Sequence, residues 1–154
     1  MFEQSTRLEE LLPLMQEQLA AGKYVRFFPR GTSMLPMLRQ GIDSVTLAPL
    51  PKKLKKFDLP LYRRENGQFV LHRIVRAGET YTCIGDNQFQ LEPGVKPEQM
   101  IALVVRFSRG EREWSVDAPA YRLYCQLWHL TRPVRRVYRW GRQRAASVWR
   151  RIWK

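Results

Sequence analysis

Ser33 stands in the short stretch Arg30-Gly31-Thr32-Ser33-Met34-Leu35-Pro36-Met37-Leu38, with a glycine two residues before it and a proline three after. A serine hydroxyl is a poor nucleophile until a base comes within hydrogen-bond reach. The chain has two histidines, His72 and His129. His72 lies in Phe69-Val70-Leu71-His72-Arg73-Ile74-Val75, where Val70, His72 and Ile74 share one face at the two-residue strand period. An imidazole there could accept the serine proton. A carboxylate that fixes the imidazole tautomer would complete the set. Two acids are candidates: Asp86 in Gly85-Asp86-Asn87, and Glu92 six residues further on. Together these residues have the chemistry of nucleophilic acyl transfer. Each also has a plain structural role: a Gly-Thr-Ser turn, a core histidine, an Asx turn, a solvated charge. Types and spacing alone leave both sets open.

The elements that must position these groups are mostly strands. Thr6-Arg7-Leu8-Glu9 has capping-box spacing, and Leu8, Leu11, Leu12, Met15 and Leu19 follow at helical spacing. This predicts an amphipathic helix over the first 23 residues, stopped at Gly22, with Pro13 near its first turns. Tyr24–Phe28 reads as a short strand leading to the Ser33 turn. Asp43–Leu47, Leu59–Arg63, Gln68–Val75, Thr80–Ile84, Ile101–Phe107 and Trp114–Val116 read as further strands. Asn66-Gly67 is a hairpin signal, and Arg109-Gly110 marks a second turn. Short strands with turns between them predict an antiparallel, partly closed sheet over 24–117.

The 154 residues suffice for one domain with a core. The net charge of +13 is unevenly placed: no acid follows Asp117, and residues 118–154 carry ten Lys/Arg, leaving the body nearly balanced. Two cysteines, Cys83 and Cys125, make neither a disulfide framework nor a zinc pattern, and no metal or cofactor is expected. Cys83 is expected to be a buried thiol in a strand. No apolar run approaches the length of a membrane span, and the acidic, helix-like N-terminus is not a secretion signal. These features predict a cytoplasmic protein.

Gly31-Thr32-Ser33-Met34-Leu35-Pro36-Met37-Leu38 resembles the Ser-Met-x-Pro-x-Leu box of type I signal peptidases. Asp58-Leu59-Pro60-Leu61-Tyr62-Arg63, followed by Leu71-His72-Arg73-Ile74, resembles their second block. Gly85-Asp86-Asn87 resembles their Gly-Asp-Asn box, and Ile101-Ala102-Leu103-Val104 the apolar strand after it. Four boxes in this order cover roughly residues 24–108. Bacterial signal peptidases and LexA-type repressors carry a lysine base in the second block. His72 in its place is similar to the endoplasmic-reticulum and archaeal type. The resemblance implies a mainly β, signal peptidase/LexA-like domain. It implies Ser33 as nucleophile, His72 as general base, and Asp86 or Glu92 as the acidic third member. It implies a peptide or protein substrate bound as an added strand, with Met34, Leu35 and Met37 helping to line the site. The family often has a serine where this chain has Gly31. The oxyanion would therefore rest on backbone N–H groups such as that of Ser33, with Thr32 as a helper. Where membrane-bound members have an anchor before the serine, an amphipathic helix is expected in this sequence.

The segment 118–154 is expected to be helical, interrupted at Pro133. Tyr121, Tyr124, Cys125 and Trp128 share one face, with Leu123, Leu127 and Leu130 on the other. Beyond Pro133, apolar residues from Val134 to Ile152 form one stripe opposite arginines. Trp140, Arg142, Trp149, Arg150 and Trp153 are suited to a membrane interface. Three readings compete: a peripheral helix on an anionic inner membrane face, a nucleic-acid-binding segment, and a helix packed on the body or a partner. The regular apolar stripe favours the membrane over nucleic acid, because phosphate binding requires no such stripe.

Overall fold

The computed structural model describes residues 3–152, and the side chains of 8–142 and 144. Among the described residues there are nine strands in two antiparallel sheets, three α-helices and one short 3-10 turn, Pro97–Gln99. The larger sheet has the order β1 (Val25–Phe27), β2 (Val45–Ala48), β8 (Met100–Arg109), β3 (Pro60–Arg63), β4 (Phe69–Leu71), with β9 (Arg112–Ser115) paired to β8. The smaller sheet is β5 (Arg73–Ala77), β6 (Tyr81–Ile84), β7 (Glu92–Val95). The expected mainly antiparallel β architecture is therefore present.

Both expected hairpins form. Asn66-Gly67 turns β3 into β4, with Gly67 at φ +86°. Gly110, at φ +64°, turns β8 into β9. A positive φ costs glycine nothing and strains residues with a Cβ. β8 is central because it pairs with three strands, and its buried positions alternate at the strand period.

Two expectations are corrected. Gln68–Val75 reads as one strand but is two. β4 ends at Leu71 and pairs with β3, β5 begins at Arg73 and pairs with β6, and His72 sits at the crossing between sheets. The alternation of side chains continues through the crossing, so the pattern hides it; the change of partner is set by remote strands. The N-terminal helix α1 (Glu3–Ala20) begins before Thr6, so Thr6 does not cap it, and Pro13 falls inside the helix. Its end is as expected. Gly22 takes φ +75°, and the bonds Gly22 N–H to Leu19 O and Lys23 N–H to Gln18 O close a Schellman motif.

The alternation along the β3–β4 hairpin divides the interior. Leu61 and Leu71 enter one core with Val45, Leu47, Ala102 and Val104, covered by Met15 and Leu19 of α1. Tyr62 and Val70 enter a second core with Ile74, Tyr81 and Cys83. Burying each large side chain stabilises the fold by about 1.5–3 kcal/mol. Cys83 is fully buried, and burial pushes its thiol up to about 12.

The tail splits near Pro133 into α2 (Pro119–Leu130) and α3 (Arg132–Ile152). α2 packs on the body through Tyr121 and Cys125, which join the first core. Among the described residues no helix is long and apolar enough to cross a membrane.

Candidate active site

The Ser33 turn is held from both sides. Gly31 has φ +94° and gives its N–H to Gln40 Oε1 at 3.1 Å. That backbone conformation favours glycine and disfavours a serine at this position. On the exit side, Asp43 accepts from Arg39 N–H, from the Arg39 guanidinium and from Gly110 N–H at 2.8–3.0 Å. Hydrogen bonds from Arg39 hold the Asp43 carboxyl down at about 2. Asn87 ties the turn to the β6–β7 loop: its N–H donates to Ser33 O at 2.8 Å, and its side-chain amide to Thr32 O at 3.1 Å.

His72 is 2% exposed, and its two ring nitrogens have different surroundings. Nδ1 faces Tyr62 Oη at 3.3 Å and Glu92 Oε2 at 3.6 Å. The Tyr62 hydroxyl donates its one proton to Glu92 Oε2 at 2.8 Å. Toward the imidazole it can therefore only accept, which places the ring proton on Nδ1 and leaves a lone pair on Nε2. Nε2 lies on the side of Gly85 and Ser33. A Cβ at Gly85 would sit 3.1 Å from His72 Nε2 and 2.6 Å from Ser33 O, so only a glycine lets the turn and the ring approach this closely. Ser33 and His72 line one open cleft. Among the described residues, Ser33 Oγ and Ser33 N–H make no hydrogen bond.

Burial, reinforced by the nearby Arg64 charge, pushes His72 down from 6.5 to about 4, against the opposing pull of Glu92. The ring is thus neutral at neutral pH. Glu92, at the start of β7, is gripped by Arg64: Nε to Oε1 at 2.7 Å and Nη2 to Oε2 at 2.6 Å. Burial alone would raise its carboxyl, but the hydrogen bonds from Arg64 and Tyr62 outweigh that and lower it.

Asp86 is elsewhere engaged. Its carboxylate accepts Arg73 Nε at 2.8 Å, Arg73 Nη2 at 2.7 Å and Tyr124 Oη at 3.2 Å, and it makes no hydrogen bond to His72. Arg73 and Asp86 are both almost completely buried. The other donors of Arg73 reach Tyr121 Oη and Cys125 Sγ of α2, at 2.7 and 2.9 Å. His72 and Arg73, consecutive at the sheet crossing, thus serve two different acids.

Of the three residues expected to line the site, Met34 borders the cleft, while Leu35 and Met37 do not. Met37 is buried in the first core, with its sulfur 3.1 Å from Arg73 Nη2. Thr32 is exposed at the cleft edge. The cleft takes Phe27 from β1 and Phe69 to Leu71 from β4, the two outer strands of the larger sheet, with Leu8 and Leu11 of α1. The sheet therefore curls until both its ends border one groove, and α1 flanks it. Arg139 of α3 also borders it, donating to Asn87 O at 3.1 Å.

Sequence reasoning missed Tyr62, Arg64 and Arg73 as parts of this arrangement. The available signal was Arg73: a charge inside an apolar strand run needs a buried partner. Of the tail residues, Trp140 and Arg142 are exposed; the side chains of Trp149 and Arg150, and all of Trp153, lie outside the described residues. Among the described residues no cluster of His, Cys, Asp and Glu could hold a metal ion. Compared with family models, curated proteins and solved structures, the chain matches none of them.

Proposed function

We propose that this protein is a signal-peptidase-like serine endopeptidase acting through a Ser33 acyl-enzyme. The observation that carries the reading is the surroundings of the two His72 ring nitrogens, from which the tautomer is inferred. Glu92 and Tyr62 occupy the Nδ1 side, and the free lone pair of Nε2 points toward the Ser33 turn. That is the arrangement a general base requires.

Ser33 Oγ attacks the scissile carbonyl carbon while His72 Nε2 takes its proton. The tetrahedral oxyanion accepts from the uncommitted Ser33 N–H, with the Thr32 hydroxyl at the cleft edge as a second donor. His72 then protonates the departing amine, and the C–N bond breaks. Water, deprotonated by His72, releases the acyl group and restores the serine. Glu92 supports the imidazolium that forms in each half-reaction, directly and through Tyr62. Asp86 is a structural acid and not the third member. A peptide in extended form would add to an outer strand, β1 or β4, along the groove.

A second reading is a peptide-binding module that keeps the fold without turnover. It is favoured by the absence of a Ser33 Oγ–His72 hydrogen bond. Catalytic hydrogen bonds are often long before substrate binds and tighten in the complex. One experiment separates the readings. The full chain is treated with an acylating or fluorophosphonate probe at neutral and mildly alkaline pH, and adducts are mapped by mass spectrometry. The peptidase reading expects a single adduct on Ser33, absent in Ser33→Ala and strongly reduced in His72→Gln, with both variants folded by circular dichroism. A folded wild-type chain that never labels at Ser33 overturns it.

A further inference from the structure

α2 and α3 present two opposite faces. Hydrogen bonds of helical spacing run across their junction, from Thr131 N–H to Leu127 O and from Arg135 N–H to Thr131 O, so the helical phase is kept. One face docks on the body: Tyr124 and Trp128 bond to Asp86, Arg135 donates to Asp86 O, and Arg139 to Asn87 O. The other face carries Leu123, Leu127, Leu130, Val134, Val137 and Tyr138. At 100° per residue these six fall within about 100° of arc. They point outward: Leu130, Val134, Val137 and Tyr138 are 68–71% exposed, and Leu123 and Leu127 just over half. An amphipathic helix ordinarily turns its apolar stripe to the core. Here Arg135 and Arg139 face the body, and the stripe faces out.

The charges around the stripe identify what covers it. No acid occurs in 118–154, and Arg142 and Arg144 border the stripe on either side. Leu123, Leu127, Leu130, Val134 and Val137 follow one another at alternating four- and three-residue steps, which a second copy of this helix would also fit. A pair of such helices would bring arginines against arginines with no acid to offset them. A lipid surface with anionic headgroups meets both requirements, an apolar layer for the stripe and negative charge for its borders.

We propose that the outward face of α2 and α3, from Leu123 to Tyr138, is a docking surface for an anionic lipid bilayer. The docked face of the same helix touches Asp86 and Asn87, so the cleft lies one helix diameter, about 10 Å, from the bilayer plane. The proposal does not depend on the chemistry of Ser33.

The test uses the full chain and the variant Leu130→Gln/Val134→Gln/Val137→Gln, which keeps every charge and alters only exposed positions. Both are floated with vesicles of phosphatidylcholine alone and with about a third phosphatidylglycerol. The wild type is expected to bind the anionic vesicles and not the neutral ones, and the variant to bind about 100-fold more weakly. Circular dichroism shows whether the variant keeps its fold. Equal binding of variant and wild type would mean that arginines alone hold the protein to anions, and overturns the docking surface. A wild type that ignores vesicles but runs as a dimer by light scattering, with the variant monomeric, assigns the face to a second copy and also overturns it.

Discussion

Asp86→Asn should unfold the protein more readily; from His72, to which Asp86 makes no hydrogen bond, it removes only a minor electrostatic pull. Asp86 accepts two nearly parallel bonds from Arg73, at 2.8 and 2.7 Å, in a place closed to solvent. Burial alone would lower the Arg73 pKa; Asp86 and the neighbouring Tyr121 outweigh that and raise it, so Arg73 stays charged. A neutral asparagine is similar in shape but leaves the guanidinium unbalanced. Removing one partner of a buried pair costs about 3–5 kcal/mol, because the other charge remains buried. Against a total of about 5–15 kcal/mol this is a large share. For a chain of this size the melting temperature should fall by about 10 °C. The assay is thermal and urea unfolding by circular dichroism, with Ser33 labelling measured well below the new midpoint. There the rate should stay within about threefold of wild type. Glu92→Gln is the counterpart. Its Arg64 partner is partly exposed, so the stability cost is about 1 kcal/mol, while labelling should slow by about 10–100-fold as support for the imidazolium is lost. If Asp86→Asn melts within two or so degrees of wild type and yet abolishes labelling, the assignment of the two acids is wrong.

Gly85→Ala should reduce labelling at least tenfold, because its Cβ would meet Ser33 O at 2.6 Å and the Ser33 turn would have to move. Gly78→Ala, whose Cβ would meet Thr80 O at 3.6 Å, is the control and should leave labelling unchanged. Stability should fall between pH 6.5 and about 4. The unfolded chain protonates His72 near 6.5 and the folded chain only near 4, so the stabilisation is complete above 6.5 and is lost on acidification. The loss amounts to about 3 kcal/mol, and in His72→Gln that part of the urea-midpoint profile should flatten.

Most strands were legible because one side is buried, so alternation and turn residues carried the signal; β7 was not expected, and β9, exposed along its length, was marked only by the turn before it. Asn66-Gly67 and Gly110 marked their turns because positive φ selects for glycine, and Gly22 marked the end of α1 for the same reason. The Ser33, His72 and acid set was legible as residue types in order, but not as an arrangement. Nothing in the local pattern of Phe69–Val75 indicates that His72 lies between two sheets, because the alternation of side chains continues through the crossing. Nor could spacing tell which of Asp86 and Glu92 lies beside His72. That depends on Arg73 and Arg64, each of which takes one acid, and on Tyr62, a tyrosine that reads in sequence as one more strand residue.

The crossing at His72 also ties the tail to the cleft. His72 and Arg73 project to opposite sides of one strand segment, the first toward Glu92 and Ser33, the second toward Asp86 and α2. Tyr121, Tyr124 and Cys125 enclose the Arg73–Asp86 pair, and Trp128 bonds to Asp86 O. Deleting the chain after Asp117 would therefore open a buried ion pair next to the histidine, whatever the tail does at a membrane. A truncated chain that lost both labelling and vesicle binding would be explained by that opening alone. The outward stripe can be altered without touching the pair, because Leu130, Val134 and Val137 lie on the opposite face of the helix. Lipid binding should therefore be separable from labelling by the glutamine variant and inseparable from it by truncation.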